Sequence, residues 1–177
     1  MNYICGALLM YCTEEQAYWL FVQLMYGLNY RLMYDRDMTL LMKCMDQLDE
    51  QLKKMAPKLH AHLLDNGCPP TFYASQWFLT IGFDTSLPFA ISLRLLDLIF
   101  FERNLAPLFR FTLALLLEEQ KHLLSLEMSD LMVTMKQLPK KPLYGSLDHN
   151  RFLLEKAATL RIKLPKGFHV QDAEVAP

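Results

Sequence analysis

The residues of this chain that could carry out chemistry are few, and two of them share one predicted helix. Glu119 and His122 lie one helical turn apart, which is the arrangement of a carboxylate and an imidazole in di-iron helical bundles. Such a metal site needs a second pair of this kind and further carboxylates, and the sequence supplies neither. We therefore interpret Glu119 and His122 as part of a solvated polar face, and we expect no metal site.

Other residues of a chemically active type also favour structural roles. His60 and His62 are two residues apart on a predicted helix, so they point to different faces and cannot bind one metal ion together. Lys136, Lys140 and Lys141 could contact acidic lipid, although lysines beside a proline-rich turn are more typical of a solvent-exposed segment. The sequence contains no glycine-rich phosphate loop and no serine nucleophile elbow. We expect no catalysis by this chain unaided and no bound cofactor.

The cysteines favour a reducing environment. They are Cys5, Cys12, Cys44 and Cys68. No two of them have the close spacing of a zinc knuckle, and all lie among apolar neighbours. We predict buried, reduced thiols in a cytosolic protein, with a disulfide framework as the less favoured alternative.

Length and composition indicate one helical domain. At 177 residues the chain is long enough for a substantial core, and 53% of its residues are hydrophobic against 21% charged. It contains only 6 glycines, while helix-forming residues are abundant. The predicted fold class is therefore all-α, with several helices.

Charge and hydropathy argue against two classes of partner. A net charge of -1 gives no basis for general binding to nucleic acid or to an anionic membrane, because both depend on a surplus of basic residues. The apolar runs 87–101 and 105–117 are too short to span a bilayer, and the first contains Arg94 and Asp97. We expect a cytoplasmic protein with no direct membrane insertion.

The N-terminal part of the chain predicts two helices. Residues 1–12 are apolar on every side, which favours the end of a buried helix. Thr13 and Gln16 form a capping-box pattern, because the Thr13 hydroxyl can accept from the Gln16 N–H while the Gln16 side chain reaches back. The second helix is predicted over about 14–28, and its apolar dominance predicts a deeply buried position.

An amphipathic helix is predicted from residue 38 onwards. Its apolar residues, spaced alternately by three and four, are Met38, Leu41, Met45, Leu48, Leu52, Met55 and Leu59. A coiled coil is the alternative, but the stripe is short and is interrupted at Pro57, which favours a helix packed on the domain. Pro57 either kinks this helix or begins the next one, which is predicted to end at Asn66 and Gly67.

Two apolar helices joined by a short turn are predicted over residues 76–101. Ser86 is expected to cap the second helix, with Pro88 near its first turn. Trp77 and Phe78, on the first helix, are expected to be aromatic residues of the core.

Arg94 and Asp97 lie one turn apart on the second of these helices, which is otherwise apolar. They either face solvent at the edge of the helix or form a partly buried ion pair that locks neighbouring helices together. Unpaired charges buried in such a helix would cost on the order of several kcal/mol. We therefore favour the partly buried pair.

The C-terminal half continues as helices with short connections. These helices are predicted at about 87–101, 106–124, 129–138 and 149–160. Ser129 is expected to cap the third of them. Residues 139–164 are predicted to form a linker and an additional helix, and residues 165–177 a flexible tail.

The order of these motifs resembles the TBC domain of Rab GTPase-activating proteins. In that family a Trp-Phe-Leu-Thr helix precedes a proline-started helix that carries Arg-Ile-Trp-Asp. Here Trp77–Thr80 precedes Pro88 and Arg94–Asp97 in the same order. Leu96 stands where the family usually has the tryptophan.

Three further stretches are similar to the same family, again in order. Met1–Tyr3, followed by an apolar helix, looks like the segment directly after the family's Tyr-x-Gln-Gly motif. Thr13–Trp19 is similar to its capped Glu-Glu-x-Ala-Phe-Trp helix, and the leucine-rich helix ending at Asn66 matches in type. The resemblance covers residues 1–138 and implies the C-terminal lobe of a multi-helix TBC domain.

The resemblance implies a domain that binds a GTP-bound small GTPase of the Rab family and stimulates its GTP hydrolysis. The family supplies two catalytic fingers, an arginine from Ile-x-x-Asp-x-x-Arg and a glutamine from Tyr-x-Gln-Gly. Gln-Gly does not occur in this sequence, and Tyr73–Gln76 has the wrong spacing. Asp148–Arg151 supplies Asp-x-x-Arg, but Gly145 replaces the isoleucine, so we interpret this stretch as a chance match.

The sequence therefore predicts no catalytic residue, as in a TBC domain cut directly after its glutamine finger. The residues expected to form partner-binding or structural motifs are Asn2, Trp77, Phe78, Arg94 and Asp97. Two other interpretations stay open. The chain could be a non-catalytic adaptor that binds a protein partner through exposed apolar surface, or a poorly folded fragment that aggregates. Neither the particular Rab nor the oligomeric state follows from the sequence.

Overall fold

The computed structural model describes residues 1–84, 86–138, 147–162 and 164. Their regular structure is helical, without a β-strand, and this confirms the predicted all-α fold. The α-helices are α1 (Asn2–Tyr11), α2 (Glu14–Val22), α3 (Thr39–Met55), α4 (Pro57–Asp65), α5 (Pro70–Tyr73), α6 (Ser75–Thr80), α7 (Phe89–Glu102), α8 (Ala106–Glu118), α9 (Gln120–Leu123), α10 (Met128–Gln137) and α11 (Leu147–Thr159).

The first two helices pack against each other and are less buried than predicted. α1 buries one side through Ile4, Ala7 and Leu8. The predicted capping box at the start of α2 is present. The prediction of deep burial is wrong for α2, where Ala17 is the one buried residue. It is confirmed for Leu24 and Met25, which follow α2 within the predicted range. An apolar composition on all sides predicts burial, but the main contacts of α2 are with α1 and the segment directly after it.

The connection between α2 and α3 closes the end of α6. It contains a π-helix (Gln23–Gly27) and a 3-10 helix (Tyr30–Met33), so the predicted helix over 14–28 is α-helical only as far as Val22. The Tyr30 hydroxyl donates to the backbone carbonyl of Phe78, and the Tyr34 hydroxyl donates to that of Leu79. The last carbonyls of a helix have no partner within it. The two tyrosines therefore cap α6 from a distant part of the chain.

α3 carries the predicted apolar stripe into the core. Leu41, Met45, Leu48 and Leu52 are buried, as the alternating spacing predicts. Pro57 begins α4 rather than kinking α3, because a proline at the first position of a helix removes a donor that would be unpaired there anyway.

The two histidines of α4 contact different elements, as their spacing predicts. His60 Nε2 lies 3.0 Å from Asp49 Oδ1 on α3. His62 Nε2 lies 3.0 Å from the carbonyl oxygen of Leu126. Together they tie α4 to α3 and to the segment between α9 and α10.

The centre of the C-terminal half is α8. Its buried side chains include Phe109, Phe111 and Leu113. Both α7 and α11 pack against it. Partly buried ion pairs join α7 to α8 through Glu102 and Arg110, and α8 to α11 through Glu118 and Lys156. These contacts set the spacing between α7 and α11.

Two predicted boundaries in this half are wrong. The helix predicted over 106–124 ends at Glu118, because the backbone of Glu119 leaves the α-helical conformation with φ -87 and ψ 4, and the short α9 follows. Ser129 does not cap α10. The helix begins at Met128 after an extended Glu127, so Ser129 already lies within it.

The cysteines are all free thiols. Cys44 and Cys68 are buried as predicted, and burial raises the pKa of both. Cys5 and Cys12 are only partly buried, so the prediction of burial is wrong for these two. Their helix leaves one side uncovered.

Parts of the predicted organisation lie outside the described residues. These include residues 139–146, with Lys140, Lys141 and Gly145, and the predicted tail 165–177. The additional C-terminal helix is observed as α11. Across the described ranges, the structure contains no helix long and apolar enough to cross a membrane. The same ranges contain no cluster of His, Cys, Asp and Glu suited to a metal ion.

Candidate interaction surface

The turn between α6 and α7 is organised by one carboxylate. Asp84 accepts from the Thr80 hydroxyl over 2.8 Å and from the Ser86 hydroxyl over 2.7 Å. Partial burial acts to raise the pKa of Asp84, but these hydrogen bonds, together with one from Gln76, outweigh it and lower the pKa below its ordinary value. The prediction that Ser86 caps α7 is wrong, because its hydroxyl donates to Asp84 and Pro88 occupies the N-cap.

The same turn depends on one glycine. Ile81 and Gly82 both have positive φ, of 53 and 75 degrees, and reverse the chain after α6. A Cβ at Gly82 would lie 2.5 Å from side-chain atoms of Leu87. The turn therefore brings the start of α7 closer than any residue other than glycine permits.

Trp77 and Phe78 belong to the core. Both are buried, which confirms the expectation for these rings. Phe78 packs edge-on against Phe109 of α8 with ring centroids 4.9 Å apart, and Trp77 lies beside Tyr73 at 6.0 Å. Phe78 therefore holds α6 on α8, Trp77 packs beside α5, and neither ring is available on the surface.

Arg94 and Asp97 lie on the surface. Their closest nitrogen and oxygen atoms are 3.9 Å apart, and their side chains are 64% and 62% exposed. The prediction of a partly buried ion pair is therefore wrong. Both residues fall on the side of α7 that faces away from the buried Leu95 and Leu96, since residues three apart share a helix face.

Exposed large hydrophobic side chains are concentrated in the N-terminal helices. Asn2 is exposed in the first turn of α1. Eight of the 18 exposed large hydrophobic residues that the structure describes fall within residues 1–27. We call them the N-terminal apolar surface: Met1, Tyr3, Leu9, Met10, Tyr11, Tyr18, Trp19 and Tyr26. Exposed apolar area of this kind marks interaction sites in folded proteins.

The N-terminal apolar surface extends to the beginning of α7. Tyr11 stacks on Phe89 with ring centroids 6.3 Å apart, and Phe89 in turn contacts Phe83. An open groove of about 550 Å³ lies beside Trp19 and Leu20 on α2. Exposed aromatic rings, a groove and the charged pair on α7 offer a contact area for a macromolecule.

The Asp148–Arg151 stretch falls at the start of α11, away from α1 and α2 in the chain. Arg151 is exposed, and its Nε donates to Glu155 on the same helix over 2.8 Å. This is an ordinary surface ion pair between residues one turn apart. Its interpretation as a chance match to the arginine motif stays a prediction.

Comparison with known proteins identifies the family. The model of the Rab-GTPase-TBC domain matches residues 1–124. The chain belongs to the Rab-GTPase-TBC domain family. The ecotropic viral integration site 5 ortholog of Drosophila melanogaster is 36% identical over 139 residues, which is 78% of this chain and 17% of that protein. The human ecotropic viral integration site 5 protein homolog is 37% identical over 130 residues, or 73% of this chain and 16% of its own length.

The similarity of this TBC chain to one relative extends beyond the family match. The Rab GTPase-activating protein tbc-11 of Caenorhabditis elegans is 30% identical over 167 residues, which is 94% of this chain and 18% of that protein. The alignment is long enough to include α11. The TBC chain spans less than a fifth of the length of each of these relatives.

Two surfaces were not predicted as such from the sequence. The exposed side of α2 was missed because a helix that is apolar all round is typical of a buried one. A groove between α7 and α11 was missed because its walls come from helices far apart in sequence. The sequence signal for it is the pair of small residues Ala157 and Ala158 on α11, which allows another helix to approach closely.

Proposed function

We propose that this TBC chain binds a GTP-loaded small GTPase of the Rab family without accelerating its hydrolysis. Membership of the Rab-GTPase-TBC domain family over residues 1–124 carries the proposal. The Caenorhabditis elegans relative supports it, because that protein is a Rab GTPase-activating protein by name. The contact surface that we propose combines Asn2, the N-terminal apolar surface and the exposed Arg94–Asp97 pair.

The missing acceleration follows from chemistry that the sequence does not supply. In GTPases, an arginine finger neutralises charge on the transferred phosphoryl group and raises the rate by about 10³–10⁵. That corresponds to roughly 4–7 kcal/mol of activation free energy. The sequence given contains neither Gln-Gly nor Ile-x-x-Asp-x-x-Arg. We therefore assign this chain a binding role and no catalytic residue.

A binding experiment tests the proposal. Rab proteins loaded with GDP or a non-hydrolysable GTP analogue are titrated with the chain by calorimetry. We expect at least one Rab to bind in the GTP form with a Kd about tenfold or more below that of its GDP form. The double variant Arg94→Ala/Asp97→Ala should weaken this binding, whereas Lys54→Ala, in an exposed ion pair on α3, should not.

A second candidate function is a non-catalytic adaptor for another protein. The N-terminal apolar surface favours it, because exposed aromatic rings bind protein partners without reference to nucleotide state. Equal capture of a Rab in both nucleotide states, or capture of none, would favour the adaptor over the GTPase-binding lobe.

A further inference from the structure

A groove lies between α7 and α11, and Arg94 is the one residue that it shares with the contact surface proposed above. Its volume is about 520 Å³, within the range of roughly 300–1,000 Å³ that is typical of sites for small molecules. Its apolar walls are formed by Ala90, Ile91, Leu98, Leu154 and Ala158. A second cavity of about 170 Å³ adjoins it, since Leu98, Leu154 and Ala158 line both. Together they form a mostly apolar seam, and the paired side chains of Glu102 and Arg110 line its second part.

Two arginines lie at the mouth of the groove, and each is near one carboxylate. Arg94 and Arg151 line it together with one carboxylate, Glu155. Arg151 donates its Nε–H to Glu155, and Arg94 reaches Asp97 only at 3.9 Å. A guanidinium has five N–H donors, so both arginines keep donors for a ligand. Exposed ion pairs of this kind are weak, and the mouth is therefore suited to an anion.

A buried polar atom lies beside the same groove. Asn150 lines it and is only 7% exposed. Its Oδ1 atom is buried and accepts no hydrogen bond within the described structure. Buried polar atoms of native proteins are almost always paired. The oxygen is therefore positioned to accept a hydrogen bond from a hydroxyl or N–H of a ligand.

We propose that this groove binds a single-chain anionic lipid. The phosphate lies against Arg94 and Arg151, an adjacent hydroxyl donates to Asn150 Oδ1, and the acyl chain follows the apolar seam towards the second cavity. The proposal extends beyond GTPase binding and does not depend on it. A lysophosphatidate combines all three features.

The shape and polarity of the seam favour a lipid chain over a peptide. A helix is about 10 Å wide with its side chains, which is too wide for the narrow second cavity. An extended peptide would bring a row of N–H and C=O groups that need partners, and the walls of the seam are mostly aliphatic. A linear acyl chain requires no such partners.

Calorimetric titration with monomeric oleoyl lysophosphatidate tests the proposal. We expect saturable binding at one site. Arg151→Gln should raise the Kd about tenfold, and Ala158→Phe, which fills the seam, should abolish binding. The matched controls are Arg161→Gln and Thr159→Phe, because Arg161 and Thr159 are exposed and do not line the groove. Both controls should bind as the unaltered chain does, and circular dichroism verifies the fold of every variant.

Changes in the ligand separate the three contacts. The deoxy analogue, which lacks the hydroxyl, should bind more weakly to the unaltered chain but as well as lysophosphatidate to Asn150→Ala. Lysophosphatidylcholine, which is zwitterionic, should bind poorly. Equal binding of all three lipids, unchanged binding by Ala158→Phe, no binding at all, or preferential binding to vesicles of two-chain phosphatidate would overturn the proposal. No GTPase is present, so failure here leaves the proposed function untouched.

Discussion

Individual residues show where spacing alone misjudges a polar side chain. The sequence places Ser86 two residues before Pro88, which is typical of a helix cap, but the hydroxyl donates to Asp84 instead. The Ser86 hydroxyl binds the Asp84 carboxylate rather than the helix end, because this carboxylate accepts from Thr80 and Ser86 together. A network with three members cannot be recognised from one capping position. Trp77 and Phe78 were predictable as core residues because large aromatic rings are buried whatever their partners are.

The Asp84 network predicts a pH dependence of stability. Its folded pKa is lowered below the ordinary 3.8, so the stabilisation is present above the unfolded value and is lost as pH falls through the lowered folded value. Asp84→Asn should reduce the free energy of unfolding by about 1 kcal/mol at pH 7, a figure discounted for partial exposure. Urea titrations of both proteins at neutral and acidic pH should converge as pH falls. A constant difference would contradict this role.

The exposed Arg94–Asp97 pair predicts a small effect on stability. Arg94→Ala should change the free energy of unfolding by less than about 0.5 kcal/mol, because exposed ion pairs are screened and mobile. The comparison is Arg110→Ala, which removes the partner of Glu102 in a pair whose side chains are 20% and 24% exposed. That change should cost about 1–3 kcal/mol. The midpoints of denaturant unfolding measure both changes. A larger loss of stability for Arg94→Ala than for Arg110→Ala would support the interpretation of Arg94 and Asp97 as a buried pair.

Helices were predictable in kind, but their ends and burial were less so. The stripe on α3 identified both the helix and its buried face, because alternating spacings of three and four define one side. α2 gave no such information, since its apolar residues point in every direction. The cap on α6 could not be predicted either, because Tyr30 and Tyr34 lie more than forty residues before the carbonyls that they contact.

The cap on α6 predicts that substitutions of its two tyrosines reduce the free energy of unfolding by unequal amounts. Tyr30→Phe should lower the free energy of unfolding by about 1–3 kcal/mol, because it leaves the buried carbonyl of Phe78 unpaired. Tyr34→Phe should cost less, about 0.5–1.5 kcal/mol, since Tyr34 is only partly buried. Thermal unfolding of both variants measures the difference. Equal and negligible effects would show that these hydroxyls do not stabilise the end of α6.

The pKa of Tyr34 offers a separate measurement of how far this hydroxyl is buried. Burial raises this pKa to about 12. A raised pKa means that the stabilisation is complete below the unfolded value of 10.0 and is lost as pH rises through the folded value. The unaltered chain should therefore lose stability relative to Tyr34→Phe between about pH 10 and 12. Parallel stability curves over this range would contradict the burial of the Tyr34 hydroxyl.

At the scale of the whole molecule, the family was predictable and the surface was only partly so. Motif order from Thr13 to Asp97 indicated the TBC family, and the family match over 1–124 confirmed it. The exposed position of the N-terminal apolar surface, the groove beside α2 and the groove between α7 and α11 depend on which helices pack against each other. Such contacts between helices join residues distant in sequence, so they leave no local pattern in the sequence.

The N-terminal apolar surface is expected to promote self-association of the chain without contributing to its stability. Trp19→Ser should reduce the binding of a hydrophobic dye and any self-association seen in sedimentation, because this ring is 60% exposed. The free energy of unfolding should change by no more than about 0.5 kcal/mol. A loss of several kcal/mol would mean that Trp19 is covered in solution.

Single-turnover GTP hydrolysis by a Rab that the chain binds tests the separation of binding from catalysis most directly. At saturating concentrations of the chain, the Rab should show GTP-dependent complex formation while its hydrolysis rate stays within a few-fold of the intrinsic value. Acceleration by about 10³ or more would show that catalytic groups are present in the polypeptide, and would contradict the assignment of a binding role alone.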